Sequence, residues 1–123
     1  MKVFLATLVF LMSYNCYAVD NLSIVCNGKS STIDSNYNEV LKSSDTKSYV
    51  IENNKIEDGI VSCECVESTK DKIICNGALG IFSRTVEIDR LAGTVKEVYI
   101  SQFPKFTSTE EFRGTCKVAK RKF

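Results

Sequence analysis

Apolar and polar residues alternate along much of this chain, and short polar or glycine-containing stretches interrupt the alternation. Period-two alternation is the mark of a half-buried strand. It predicts strands at Leu22–Cys26, Lys47–Glu52, Ile60–Glu67, Lys72–Asn76, Ile81–Arg90, Thr94–Gln102 and about Glu110–Val118. Asn27-Gly28, Asn53-Asn54, Asp58-Gly59 and Asn76-Gly77 supply turn signals between them. Residues 29–47 are polar and poorly patterned, and read either as one helical turn around Tyr37, Val40 and Leu41 or as a loop with a strand fragment. The pattern predicts an all-β, small antiparallel sandwich or barrel of about seven strands.

The clearest hairpin joins Ile81–Arg90 to Thr94–Gln102. Leu91-Ala92-Gly93 suits a three-residue loop with Gly93 in the left-handed region. That loop pairs Arg90 with Thr94, Ile88 with Lys96, Val86 with Val98 and Arg84 with Ile100. One face would then carry Phe82, Val86, Ile88, Val98 and Ile100.

Ahead of the strands stands a different pattern. Lys2 precedes a ten-residue apolar run, Val3–Met12, and Ser13–Ala18 is polar with a small residue at its end. This reads as a secretory signal peptide over residues 1–18, cleaved before Val19, and is too short for a membrane span. A lipid-attached Cys16 is the rival, but Ser13 and Asn15 fit a lipoprotein signal poorly. Residues 19–123 then form a single β domain, exported to a periplasm or secreted.

Export changes the meaning of the cysteines, because such thiols are normally oxidised. Cys26, Cys63, Cys65, Cys75 and Cys116 remain after the leader, an odd number. Two bridges and one leftover thiol is the simplest account. Cys63 and Cys65 share a strand face, and Cys75 lies on the returning strand. A register summing to 138 sets Cys75 opposite Cys63, and one summing to 140 sets it opposite Cys65. Cys26 and Cys116 lie near the two ends of the domain and would close a loop of about ninety residues. The leftover cysteine could join two subunits.

The chain has no histidine, which excludes Ser-His-Asp and Cys-His catalysis. Carboxylate pairs remain, Glu87 with Asp89 and Glu110 with Glu111, but they lie on half-exposed strands. The expectation is a non-enzymatic protein without catalytic residues, metal or cofactor. Without Lys2 the 15 basic residues balance the 15 acidic ones, so no global field steers the domain to nucleic acid. Lys117, Lys120, Arg121 and Lys122 read as a solvated terminus. Arg90 at a hairpin tip, and the aromatic residues Phe103 and Phe106 with Tyr49 and Tyr99, are the candidate contacts for an envelope or extracellular protein. Asp89 is expected to accept amides of its turn.

Ile88-Asp89-Arg90 with Gly93, and Phe112, Gly114 and Cys116 with the closing Lys122-Phe123, resemble a group of small exported bacterial proteins. These share a leader, a cysteine in the first mature strand, an I-D-R-x-x-G hairpin and an F-x-G-x-C tail ending in K-F. The resemblance implies compartment and fold class and no activity; Cys63 and Cys65 are not part of it. In architecture the chain is also similar to periplasmic inhibitors of c-type lysozyme, which are disulfide-linked β-barrels, although their Ser-Gly loop has no counterpart here. The expected function is therefore a binding or envelope accessory module. The alternatives are a thiol–disulfide protein using Cys63 and Cys65, and a lysozyme-inhibitor-like protein.

Overall fold

The computed structural model describes residues 21–34, 40–59 and 61–119. The leader reading, Tyr37 and residues 120–123 lie outside them. Eight strands follow in chain order: β1 (Leu22–Asp34), β2 (Val40–Glu52), β3 (Lys55–Ile56), β4 (Cys63–Ser68), β5 (Lys72–Leu79), β6 (Phe82–Asp89), β7 (Thr94–Gln102) and β8 (Thr107–Val118). Each pairs antiparallel with its neighbour, and β8 returns to β1, closing a barrel. The all-β, disulfide-stabilised barrel expected from the alternation is the observed fold. The eighth strand is β3, two residues long and too short to leave a periodic signal.

One end of the barrel carries the turns at 53–54, 69–71 and 90–93 together with Leu22 and Val118. The opposite end, called the mouth below, carries the ends of β1 and β2 at Asp34 and Val40, the ends of β3 and β4 at Ile56 and Cys63, and the connections at 80–81 and 103–106. Between them the interior is filled. Ile24, Cys26, Ile51, Ile56, Ile73, Val86, Ile88, Val95 and Phe112 are all buried. Each such aliphatic or aromatic side chain removed from water contributes about 1.5–3 kcal/mol.

Residues 29–47 are not a loop or a helical turn where they are described. β1 and β2 pair continuously from Leu22↔Ile51 to Ile33↔Val40. Their outer halves extend beyond the packed core toward the mouth, so both faces are wetted and no apolar alternation marks them. Polar cross-strand bonds hold them instead. The Thr46 hydroxyl donates to Asn27 Oδ1 at 2.6 Å, and Ser30 Oγ donates to Asp45 at 3.3 Å.

The β6–β7 hairpin differs from expectation by one residue. Its loop is Arg90–Gly93, and Asp89 pairs with Thr94. The Asp89 carboxylate accepts the N–H groups of Leu91 and Ala92, each at 3.0 Å, and Gly93 N–H bonds the Asp89 carbonyl at 2.9 Å. These bonds draw Arg90 into the turn, while Gly93 keeps the expected left-handed backbone at φ 70°. Val86 consequently faces Glu97, not Val98, and Arg84 faces Tyr99, not Ile100. The buried face is Arg84, Val86 and Ile88 with Val95, Glu97 and Ser101. Val98 and Ile100 turn to the half-exposed outer face.

β1 and β8 approach closely at a facing glycine pair, Gly28↔Gly114. A β-carbon on Gly28 would lie 1.9 Å from the Arg113 carbonyl oxygen, which is backbone and cannot rotate away. Gly28→Ala is expected to lower stability by about 2–3 kcal/mol, as overpacking does. A urea midpoint unchanged from wild type would contradict this.

Candidate functional site

Toward the mouth the inward-facing positions change from apolar to charged. Glu97 of β7 is the centre. Its Oε1 accepts the Tyr49 hydroxyl at 2.6 Å, and its Oε2 accepts Arg84 Nε at 2.9 Å. Lys47 Nζ lies 3.8 Å from the same carboxylate and 5.3 Å from the Phe112 ring centre. Arg84 then reaches across to the β3–β4 connection, where its two terminal nitrogens bond both Asp58 oxygens at 2.5 and 3.2 Å. The side chains of Arg84 and Glu97 are 8 and 7 % exposed. No buried side-chain polar atom among the described residues lacks a partner. Burying ions is costly unless they are paired and hydrogen-bonded, and these are.

The network sets the chemistry of its members. Burial, followed by the Glu97 hydrogen bond and charge, pushes the Tyr49 hydroxyl well above its ordinary value of 10.0. The folded state therefore holds that proton where the unfolded chain releases it. This contribution is complete below pH 10 and declines as pH rises above it. Between pH 9 and 11 the wild type is expected to lose stability more steeply than Tyr49→Phe. Parallel denaturation midpoints across that range would refute the assignment.

A cleft of about 450 Å³ opens beside the network. Lys47, Ser48 and Tyr49 form one wall and Asp58, Gly59 and Val61 the other, with Arg84 and Glu97 between them. Tyr99 and Glu110 are a cross-strand pair of β7 and β8 and line it on the mouth side. The volume is in the range of small-molecule and side-chain pockets.

The cysteines fall into two cross-strand bridges, Cys26–Cys116 between β1 and β8 and Cys65–Cys75 between β4 and β5. The β4–β5 register sums to 140, which puts Cys75 opposite Cys65. Cys63 is the free thiol among the described residues; it is fully buried, and burial pushes its pKa up despite the nearby Arg84.

The surface candidates are not brought together. Arg90 is exposed on the turn at the end opposite the mouth, its N–H bonded to the Asp71 carbonyl at 2.7 Å. Phe103 and Phe106 are at the mouth, their ring centres 4.8 Å apart. Tyr49 does not join them in an exposed patch: it is 1 % exposed, inside the barrel. Tyr99 packs on Phe82 at 5.9 Å. Of the carboxylate pairs, Glu87 binds Lys72 at 2.9 Å and Asp89 is used by its turn. Glu110 and Glu111, neighbours in sequence, face opposite sides of β8, and Glu111 pairs with Arg113. Among the described residues no group of His, Cys, Asp or Glu is placed to hold a metal ion.

The sequence reading missed Glu97, Asp58 and Lys47, and assigned Arg84 no role. Arg84 and Glu97 occupy positions where strict alternation requires apolar residues, which was the available signal. Compared with protein-family models, curated proteins and solved structures, the chain matches none.

Proposed function

We propose that this protein is an exported, non-enzymatic binding barrel that takes its partner at the mouth. The observation that carries the reading is the cleft beside the buried Arg84–Glu97 pair. A rigid polar network positions its walls, and the connection bearing Asp58 is tied to the barrel by Arg84. Binding sites held on strands by locked side chains are pre-organised, which reduces the ordering cost of binding. The rim adds aromatic area through Phe103 and Phe106, of the type that anchors protein contacts. Two disulfides suit an oxidising compartment. Among the described residues no helix is long and apolar enough to cross a membrane.

Photo-cross-linking by position tests this. A photoreactive residue at Ser44 or Ser108, near the mouth, is expected to form adducts in the cell envelope fraction. The same residue at Arg90, at the opposite end, is expected to form none. Equal adducts from both ends, or none from the mouth, would reject the reading. Protein recovered from the envelope should begin at Val19.

A second reading, inhibition of a c-type lysozyme, is favoured by the closed, disulfide-linked barrel alone. Protection of cell walls from lysis by a stoichiometric amount of purified protein would support it. The thiol–disulfide reading draws less support. The free thiol is buried and held protonated, whereas reactive cysteines are exposed and ionised.

A further inference from the structure

β2 is bonded to β1 along its whole described length, but its other edge is not. On that side it pairs with β3 only at Ile51 and Glu52. From Ser48 back to Lys42 no described strand lies beside it. Asn53 and Asn54 both have positive φ and form the two-residue turn whose closing pair, Glu52 and Lys55, exchanges backbone hydrogen bonds. Backbone direction alternates along a strand, so Ser48, Thr46 and Ser44 turn their N–H and C=O groups to that same side. The Thr46 N–H is already taken by Asp45 Oδ1 at 2.9 Å. Ser48 has no backbone partner there among the described residues.

The cleft follows this edge. Lys47, Ser48 and Tyr49 line it consecutively. A cavity on one face of a strand meets every second residue; three in succession place it along the backbone edge. The cleft is thus a seam in the barrel wall. Its lining is acidic in balance, with three carboxylates against two cations. Arg84 is occupied by Asp58 and Glu97, and Lys47 lies against Glu97. Glu110, the cross-strand partner of Tyr99 and with it a lining residue of the cleft, has no ion-pair partner among the described residues.

We propose that the partner is an extended basic peptide segment. It adds as a strand to the β2 edge at Ser48 and places a Lys or Arg side chain between Glu110 and Tyr99. The main chain supplies affinity without sequence preference, and the inward side chain supplies specificity through its charge and the ring face. This deepens the mouth reading above and rests on it. The charges of Lys42, Asp45 and Lys47 protect the same edge from pairing with other edges indiscriminately.

The probe is a fluorescein-labelled peptide of sequence TVTKTVT, titrated into the oxidised protein and followed by anisotropy. Two controls accompany it: TVTETVT, and TVTKTVT with alternate amides N-methylated. The first peptide is expected to bind, and both controls to bind at least tenfold more weakly. Glu110→Gln is expected to weaken the lysine peptide about tenfold while leaving the circular dichroism spectrum unchanged. The Ser48 amide should gain hydrogen-exchange protection on binding. No binding of TVTKTVT, equal binding of the N-methylated peptide, or indifference to Lys against Glu would overturn the proposal. So would Ser48 protection in a concentration-dependent dimer without peptide, because a second copy would then occupy the edge. If cross-links still map to the mouth while the peptides fail, only the peptide proposal falls; if they map elsewhere, the mouth reading falls as well.

Discussion

Glu97→Ala is expected to destabilise the barrel by about 3–5 kcal/mol, the usual cost of breaking a buried ion pair from one side. Three groups lose their acceptor at once. The Tyr49 hydroxyl, 2.6 Å away and buried, is left without a partner. Arg84 keeps Asp58 but loses the carboxylate on its inner side, where its side chain is only 8 % exposed. Lys47 loses the weaker contact at 3.8 Å, with its side chain 34 % exposed, and adds little to the total. Arg84→Met alone should cost a similar amount, because it leaves the buried Glu97 carboxylate with only the Tyr49 hydroxyl and the distant Lys47 ammonium. The triple replacement Arg84→Met, Glu97→Leu and Tyr49→Phe removes the three buried members of the network together and should recover most of the loss, since an apolar core of similar volume needs no pairing. The measurement is urea unfolding of each variant at one pH. A loss below about 1 kcal/mol for Glu97→Ala would mean that water replaces the carboxylate and the network is not the support of the cleft.

The same pair explains how far the sequence can be read. Alternation located the longer strands that back onto the apolar core, because a buried face imposes period two on the residues that form it; β3 was missed although Ile56 is in that core. Leu22–Cys26, Lys72–Asn76 and Glu110–Val118 are of this kind. It was silent for the outer halves of β1 and β2, where Ser and Thr line a wet mouth and neither face is selected for apolarity. The β6–β7 register was misplaced because Leu91-Ala92-Gly93 suits a three-residue loop, and the register that loop implies put Val98 and Ile100 on the same face as Val86 and Ile88. The protein instead buries Arg84 and Glu97 and leaves Val98 and Ile100 half-exposed. A turn length decided the matter, through the two Asp89 hydrogen bonds that draw Arg90 into the loop. The Asp89 role was legible; its effect on register was not. The cleft was least legible of all. It depends on β3 being only two residues long, and a missing stretch of strand has no signature in a polar connection.

Removing the Cys26–Cys116 bridge as the alanine pair is expected to cost about 4–5 kcal/mol, and removing Cys65–Cys75 about 2–3 kcal/mol. The bridges span 90 and 10 residues, and the chain-entropy cost of closing a loop grows with the logarithm of its length. Alanine is preferred to serine because Cys26 is fully buried and a hydroxyl there would add its own penalty. The first bridge also acts at a particular seam. β1 and β8 are the pair that closes the barrel, and no other pair of neighbouring strands is as far apart in sequence. In the oxidised chain those two strands are held together before folding begins. The alanine pair should therefore refold more slowly as well as being less stable, because the longest loop must be closed in the folding step itself. It should also show a larger urea dependence, since the unfolded chain without the bridge expands and exposes more surface. Equal losses for the two bridges, with unchanged denaturant dependence, would show that native packing around the sulfur atoms sets the stabilisation and that loop length does not.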